Sequence, residues 1–437
     1  MTSGLRRGTA VVLGLLSSLA LAAWDQRNSG VTGPLYSVHF PEGTQVGYVV
    51  GADMDSLGGE IGLVMKTTDG GATWVAQNSP AAARLNSVYF IDDNTGYAVG
   101  DAGTAIMTTD GGENWTTMTV GDTDQFNYVG FPGRGQTGFI GVRPRSQSAK
   151  VLKTTNGGAT WTSIAVGGAM NWTNSCAAGN DNIGVAIGTG GFVWGTTDGF
   201  ATGSGGGAYT TANLVAAAFG HDDPNNGFLV GNDSLGGVIR STADGGVSTW
   251  DSCHTYKVST LCGVDMPTAD FAYACGDSFG KGMILVCVQK HPRADFWGTT
   301  LPAGAPAMQG ICFPGTQKDT GYACGGGGWI VKTTNRGIPL IYGIAEDTPQ
   351  RGRDTFLAIA PNPLRRLAKV RYDNLPKAGS MTLDLYNASG RGVLSRTFRI
   401  GRSGTASLDL RALRPGAYLV KVRADGFATT RKLVIQR

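Results

Sequence analysis

The nonapeptide KTTDGGATW at residues 66–74 returns as MTTDGGENW at 107–115 and as KTTNGGATW at 153–161. Aligned on this motif, the chain reads LYSVHF…GYVVG…VMKTTDGGATW (35–74), LNSVYF…GYAVG…IMTTDGGENW (85–115) and FNYVGF…GFIGV…VLKTTNGGATW (126–161). Fainter copies follow: TNSCAA…GVAIG…GTTDGFATG (173–203), LVAAAF…GFLVG…IRSTADGGVSTW (214–250), LCGVDM…FAYACG…ADFW (261–297) and MQGICF…GYACG…IVKTTNRG (308–337). Seven units, each with four short alternating segments and a period of roughly 30–50 residues, predict seven four-stranded antiparallel blades of a β-propeller.

Spacing tests this reading independently. Eleven residues separate the Trp from the first residue of the next unit at Trp74–Leu85, Trp115–Phe126, Trp250–Leu261 and Trp297–Met308. The seventh unit stops at KTTNRG without Trp or fourth strand, yet Trp24 lies the same 11 residues before Leu35. The N-terminus is therefore expected to supply the outer strand of the last blade, closing the ring through Trp24 and removing an open sheet edge.

Composition agrees with an all-β chain. Of 437 residues 41% are hydrophobic, enough for a sizeable core, and 69 are Gly, an excess suited to many tight turns between short strands. Arg6 and Arg7 precede the apolar run 10–23, with Ala20-Leu21-Ala22 as a small-residue cleavage site, so residues 1–22 read as a secretory signal peptide. No other apolar run approaches the ~20 residues of a membrane span. Export fits the seven cysteines, of which Cys262 and Cys275 fall in one expected hairpin and form a candidate disulfide. No CxxC or His spacing indicates zinc, and no metal or cofactor is expected.

The recurring turn resembles the Asp-box of sialidase-like propellers, which joins the third and fourth strands of a blade. In that reading Asp69, Asp110, Asp198 and Asp244 accept hydrogen bonds from their own loops. Gly71, Gly112 and Gly158 allow φ > 0, and Trp74, Trp115, Trp161 and Trp250 pack between blades. Asn156 and Asn335 replace the acid, an exchange that a catalytic carboxylate would not tolerate. With FxxxxxxGYAVG upstream, residues 24–337 resemble the seven-bladed propellers of the photosystem II assembly and stability factors, and secondarily sialidase and xyloglucanase propellers. The resemblance implies a fold, and function must be argued from a site.

After residue 338 the repeat ends. Residues 338–354 read as linker, and 355–437 show alternating apolar residues with turns every 8 to 12 residues, the pattern of a small immunoglobulin-like β-sandwich. APNP (360–363), MTLDLYNASGR (381–391), LDLRALRPGAYLVKV (408–422) and RKLVIQR (431–437) resemble the type A sorting domain of the bacterial type IX secretion system. That resemblance implies the type IX machinery as a partner and display at, or release from, the cell surface, with a generic adhesion module as the alternative. Residues 23–350 carry 16 Lys+Arg against 27 Asp+Glu, whereas 351–437 carry 18 against 5. The basic arginines are spread over successive strands without aromatic interleaving, so docking to an acidic export component fits better than nucleic acid.

Enzyme signatures are weak. GDSFG (276–280) has the spacing of a nucleophile elbow but sits in a β-turn context without a helix. DMDSLG (53–58) opens like a calcium loop, yet its twelfth position is Val64. The face opposite the Asp-boxes, where loop length varies most, carries Asp53, Asp55, Asp101, Arg143, Arg145, Asp233 and Asp277 as candidate binding residues. Four Asp there follow a strand-two Gly, as a carboxylate ring or simply as good turn formers. The preferred reading is a non-catalytic binding or scaffold protein for an extracellular protein or polysaccharide. The alternative is a glycoside hydrolase using paired carboxylates on that face.

Overall fold

The apolar segments of each unit become strands because they alternate, and the glycine turns between them fold neighbouring strands back antiparallel. The computed structural model describes residues 23–54, 58–146, 148–167, 173–205, 210–253, 258–287, 296–299, 301–316, 319–337, 356–360, 367–373, 379–387, 391–414, 416–424 and 427–435. The expected signal peptide and linker, together with Asp55, lie outside these residues. Blade 1 is Leu35–His39, Gly47–Met54, Glu60–Thr67 and Val75–Ala76 in that spatial order, and blades 2 to 6 repeat the arrangement through Trp297–Gly298. In blade 7, Met308–Cys312, Gly321–Gly325 and Trp329–Thr333 are completed by Asp25–Asn28 from the N-terminus, in the register Asp25↔Lys332 to Asn28↔Trp329. Among the described residues no helix is long and apolar enough to cross a membrane.

Blades are glued by a repeated aromatic joint. Phe90, ending the first segment of blade 2, stacks on Tyr48 of blade 1 at 3.5 Å and meets Trp115 of its own blade edge-on at 5.9 Å. Phe131 does the same with Tyr97 and Trp161, and Phe40 with Tyr322 and Trp74. At the last joint Phe313 stacks on Tyr273 and takes Trp24 at 6.0 Å, so Trp24 fills the position that an in-line Trp fills elsewhere. Each tyrosine hydroxyl is spent on the turn of the following blade: Tyr48 on the Gly111 carbonyl at 2.7 Å, Tyr97 on Gly157 at 2.8 Å, Tyr322 on Gly70 at 3.0 Å.

The turn itself is built around the acid. Asp69 Oδ1 accepts from the Ala72 and Thr73 N–H groups at 2.9 Å, Oδ2 accepts from the Thr73 hydroxyl at 2.6 Å, and the Thr67 hydroxyl completes the set. In blade 3 Asn156 keeps the geometry with its amide: Oδ1 accepts from Thr160 N–H and Nδ2 donates to the Thr160 hydroxyl, both at 2.9 Å. Gly71 is left-handed at φ 82°, and a Cβ there would stand 3.1 Å from the Tyr322 ring. Blades 4 and 7 place Phe200 and Arg336 at left-handed φ where other turns use Gly.

The second unit, divided from the first between Leu340 and Ile341, shows seven strands among its described residues. Phe356–Ala360, Leu367–Asp373 and Gly404–Asp409 form one sheet, and Gly392–Ile400, Gly379–Asn387, Gly416–Ala424 and Phe427–Ile435 the other. One core joins them: Val370, Leu408, Leu383, Leu385, Val420 and Leu433 are all buried together. Two sheets around one core are compatible with an immunoglobulin-like sandwich.

One expectation is corrected. Cys262 and Cys275 are not bridged to each other. A β-bulge between Leu261 and Gly263 places Gly263, not Cys262, opposite Cys275, so the hairpin does not bring that pair into a bridge.

Two outcomes follow. Trp24 is fully buried, so Trp24→Ala should cost about 3–5 kcal/mol in denaturant unfolding, and a melt unchanged from the parent would refute closure. Hydrogen bonds from the Asn114 backbone and side chain hold Asp110 at about 2, and those from the Thr202 hydroxyl and N–H hold Asp198 at about 2. Folded values below the unfolded ~3.9 add stability that is present above that pH and lost as pH falls through about 2. Asp110→Asn with Asp198→Asn should therefore flatten the fall in Tm between pH 4 and pH 2.

Candidate functional site

The two mouths of the central channel differ. On the face of the TDGG turns, loops between the first and second strands reach across the axis: Arg134 of blade 3 pairs with Glu42 of blade 1 at 2.6 Å, and His221 Nδ1 of blade 5 donates to the Gly315 carbonyl of blade 7 at 2.5 Å. Blades that are not neighbours touch only over the axis, so these contacts plug this mouth. Beneath them His39 accepts the Phe90 N–H on Nδ1 at 3.3 Å and lies 4.6 Å from the Tyr89 ring. Burial, then the nearby His221 and Arg134 charges, push His39 down to about 3, so it stays neutral.

The opposite face carries the second-to-third connections. Blades 2, 4 and 7 turn tightly through Asp101–Gly103, Thr189–Gly191 and Gly326–Gly328, while blades 1, 5 and 6 extend longer hairpins. Each candidate Asp among the described residues has a local task. Asp53 accepts from the Met54 N–H, Asp233 from Leu235 and Gly236, and Asp277 from the Gly280 N–H and the Thr260 hydroxyl. These three acids serve their own separate connections. Ser278 ends a strand and is followed by the hairpin tip Phe279–Gly280, without the helix that a nucleophile elbow needs.

Three of the candidate residues do converge. Asp101, Arg143 and Arg145, with Ala102, Gln125 and Pro144, line an open pocket of 340 Å³ at the seam of blades 2 and 3. Register puts Gln125 opposite Arg143 on paired strands. Asp101 is neutralised by Arg84 at 2.9 Å and held by Asn86 at 2.8 Å, whereas neither Arg143 nor Arg145 has an ion-pair partner among the described residues. The pocket is therefore cationic. The backbone of Arg145 is braced from outside the lining: its N–H donates to Asp124 at 3.0 Å, and Lys150 Nζ lies 2.7 Å from Asp124 and 2.6 Å from Asp122. Burial disfavours both charges, but these hydrogen bonds prevail and hold Asp124 below and Lys150 above its ordinary value.

Sequence reasoning missed the asparagines at the second position of three successive first segments, LNSVYF, FNYVGF and TNSCAA. Asn86 donates to the Phe126 carbonyl at 3.0 Å, Asn127 to Asn174 at 2.7 Å and Asn174 to Leu214 at 2.8 Å, lacing blades 2 to 5 along the channel. Their repeated column was the available signal. Among the described residues no cluster of three or more His, Cys, Asp or Glu is placed to hold a metal.

With the geometry in place, comparisons with known proteins are informative. Residues 358–436 match the family model of the secretion system C-terminal sorting domain, and residues 78–202 match that of the photosynthesis system II assembly factor YCF48. A structure of YCF48 bound to D1 peptide is similar at TM-score 0.53 and 18% identity, over 72% of this chain and 97% of that one. YCF48 from Cyanidioschyzon merolae gives 0.50 and 19%, over 71% and 98%. A xyloglucanase of family GH74 from Xanthomonas campestris gives 0.52 and 12%, over 80% and 60%. These likenesses show the propeller fold. No curated protein matches the chain significantly. The type IX sorting tail marks a secreted or cell-surface bacterial protein.

The brace can be tested. Lys150→Met leaves two carboxylates facing each other and should cost about 1–3 kcal/mol of stability, with the Asp124 carboxyl titrating higher by NMR. An unchanged Asp124 titration would contradict the assignment.

Proposed function

We propose that the chain is a non-catalytic binding protein, exported behind a leader at residues 1–22 and delivered to the outside through residues 355–437. Its propeller, residues 23–337, captures an extracellular protein or polysaccharide on the face opposite the TDGG turns. The observation that carries this reading is the cationic pocket. Two guanidiniums without ion-pair partners among the described residues line 340 Å³ of open space, while every described candidate carboxylate on the same face is occupied by its own turn or by Arg84. Guanidiniums recognise carboxylates through two parallel hydrogen bonds, so the pocket suits an acidic group of the ligand. The plugged channel mouth leaves this face as the open one. A carboxylate pair poised for glycoside hydrolysis would need side chains free to face one bond, which the turn-capping roles of Asp53, Asp233 and Asp277 disfavour. YCF48 holding a D1 peptide supports the idea that such a propeller can serve as a peptide receptor.

The test combines a glycan array and an acidic peptide array with reducing-sugar assays on polysaccharides. Binding of an acidic ligand without turnover, weakened at least tenfold by Arg143→Ala with Arg145→Ala, is the expected result. Turnover lost on Asp→Asn at positions 53, 101, 233 or 277 would overturn the reading in favour of a hydrolase. Acidic-ligand binding indifferent to both arginines would move the site elsewhere.

A further inference from the structure

A second cavity lies where the ring closes. It measures 260 Å³ and is lined by Gln26, Arg27, Asn28, Ser29, Val31, Gly327, Gly328 and Trp329, below the ~300 Å³ of a drug-sized ligand pocket and suited to a single small ring. Asn28 pairs directly with Trp329, and Gln26 with Val331, so Gln26, Asn28 and Trp329 share one face of the blade. Beside them runs Gly325-Gly326-Gly327-Gly328, a stretch of bare backbone. Above Gly326 and Gly327 the space is open: a Cβ would find nothing nearer than 3.6 Å and 3.8 Å.

The polar groups divide into two sets. Ser29 is committed, donating to the Gly328 carbonyl at 2.6 Å, and Asn28 Oδ1 accepts the Gly30 N–H at 3.0 Å, so both hold the cavity wall. Arg27 alternates to the opposite face of the strand, where it lies 3.9 Å from Asp25 and its charge acts on Tyr322 and Lys332. Trp329 also departs from its counterparts. At the same position after the tight turn, blade 2 has Thr104 and blade 4 has Phe192, which is buried, whereas Trp329 remains partly exposed.

The flanks add to the argument. The hairpins of blades 6 and 1, the ring neighbours of blade 7, run two or three residues beyond the strand-two glycine and end in exposed apolar side chains: Phe279, 85% exposed, and Met54, 60% exposed. The low glycine turn of blade 7 therefore lies between two raised apolar tips on the open face.

We propose that this cavity is a saccharide subsite for a neutral pyranose unit of a polysaccharide. The Trp329 indole takes the C–H face of the ring, the Gln26 amide and the Asn28 Nδ2 group take its hydroxyls, and the glycine floor lets the sugar approach the backbone. A pyranose matches this mixture because it is apolar on its faces and polar around its rim. An anion fits less well, since Arg27 turns to the other face of the strand, towards Asp25. The inference goes beyond the cationic pocket of blades 2 and 3 and uses none of its residues.

The test is calorimetric titration of the full-length protein with neutral hexasaccharides: cello-, laminari-, manno- and xylo-oligomers. At least one should bind, with affinity reduced tenfold or more by Trp329→Ala and three- to tenfold by Gln26→Ala with Asn28→Ala, while Arg143→Ala with Arg145→Ala leaves it unchanged. Should Trp329→Ala fail to fold, Trp329→Phe, the residue that blade 4 uses, keeps the test open and should weaken binding severalfold. Absence of binding to every oligomer, or binding indifferent to a folded Trp329 variant, overturns the subsite. Loss of binding only on the Arg143 and Arg145 changes overturns it too, and places the sugar in the other pocket.

Discussion

The tyrosine hydroxyl that reaches from one blade into the turn of the next is the contact on which the ring depends. It ties the second strand of a blade to the following TDGG turn while its ring stacks on Phe and the Trp closes the other side. The turn must therefore present a particular glycine carbonyl, at a left-handed residue, to a buried tyrosine. That requirement accounts for the acid, the glycines and the Trp together, and it explains why Asn serves as well as Asp. Blades 4 to 6 show what happens without it: Phe139 meets Phe200, Trp250 is seated with Val185, and Phe228 meets Phe296. These seams lie among the units whose motif is faint in the sequence, as expected if the motif exists to serve the joint.

One face carries these turns and the Glu42–Arg134 and His221–Gly315 contacts over the axis, and we place recognition on the other. There the connections are free to differ. Blades 2 and 3 build a cationic pocket braced by Lys150, blade 7 keeps a bare glycine floor beside Trp329, and blades 1, 5 and 6 raise hairpins tipped by Met54, Leu235 and Phe279. In the proposed reading scaffold and recognition are separated by strand topology, and the C-terminal residues 358–436 match a secretion sorting domain.

Much of this was legible in the residues. Blade number and ring closure followed from a constant spacing, which survives because Trp must reach the same joint from a strand of the same length. The ring of acids was less legible, since Asp after Gly is chosen equally well for capping a turn and for holding a ligand, and only the Met54, Leu235 and Gly280 N–H contacts decide. The cysteine pairing failed on a bulge, a one-residue shift that alternation does not reveal. Lys150 with Asp122 and Asp124 was invisible because the contact spans more than 20 residues and an interblade connection. Trp329 reads as core in any strand pattern, and only its partial exposure beside four glycines sets it apart.

Ring closure by the N-terminal strand is the claim from which the joint, the cavity at blade 7 and the placement of the open face all follow. Native-state hydrogen exchange of the Asp25–Asn28 segment addresses it most directly. The account predicts protection matching that of its partner strand Trp329–Thr333, with both segments exchanging only through global unfolding. Exchange of Asp25–Asn28 that is orders of magnitude faster, with Trp329–Thr333 still protected, would contradict it.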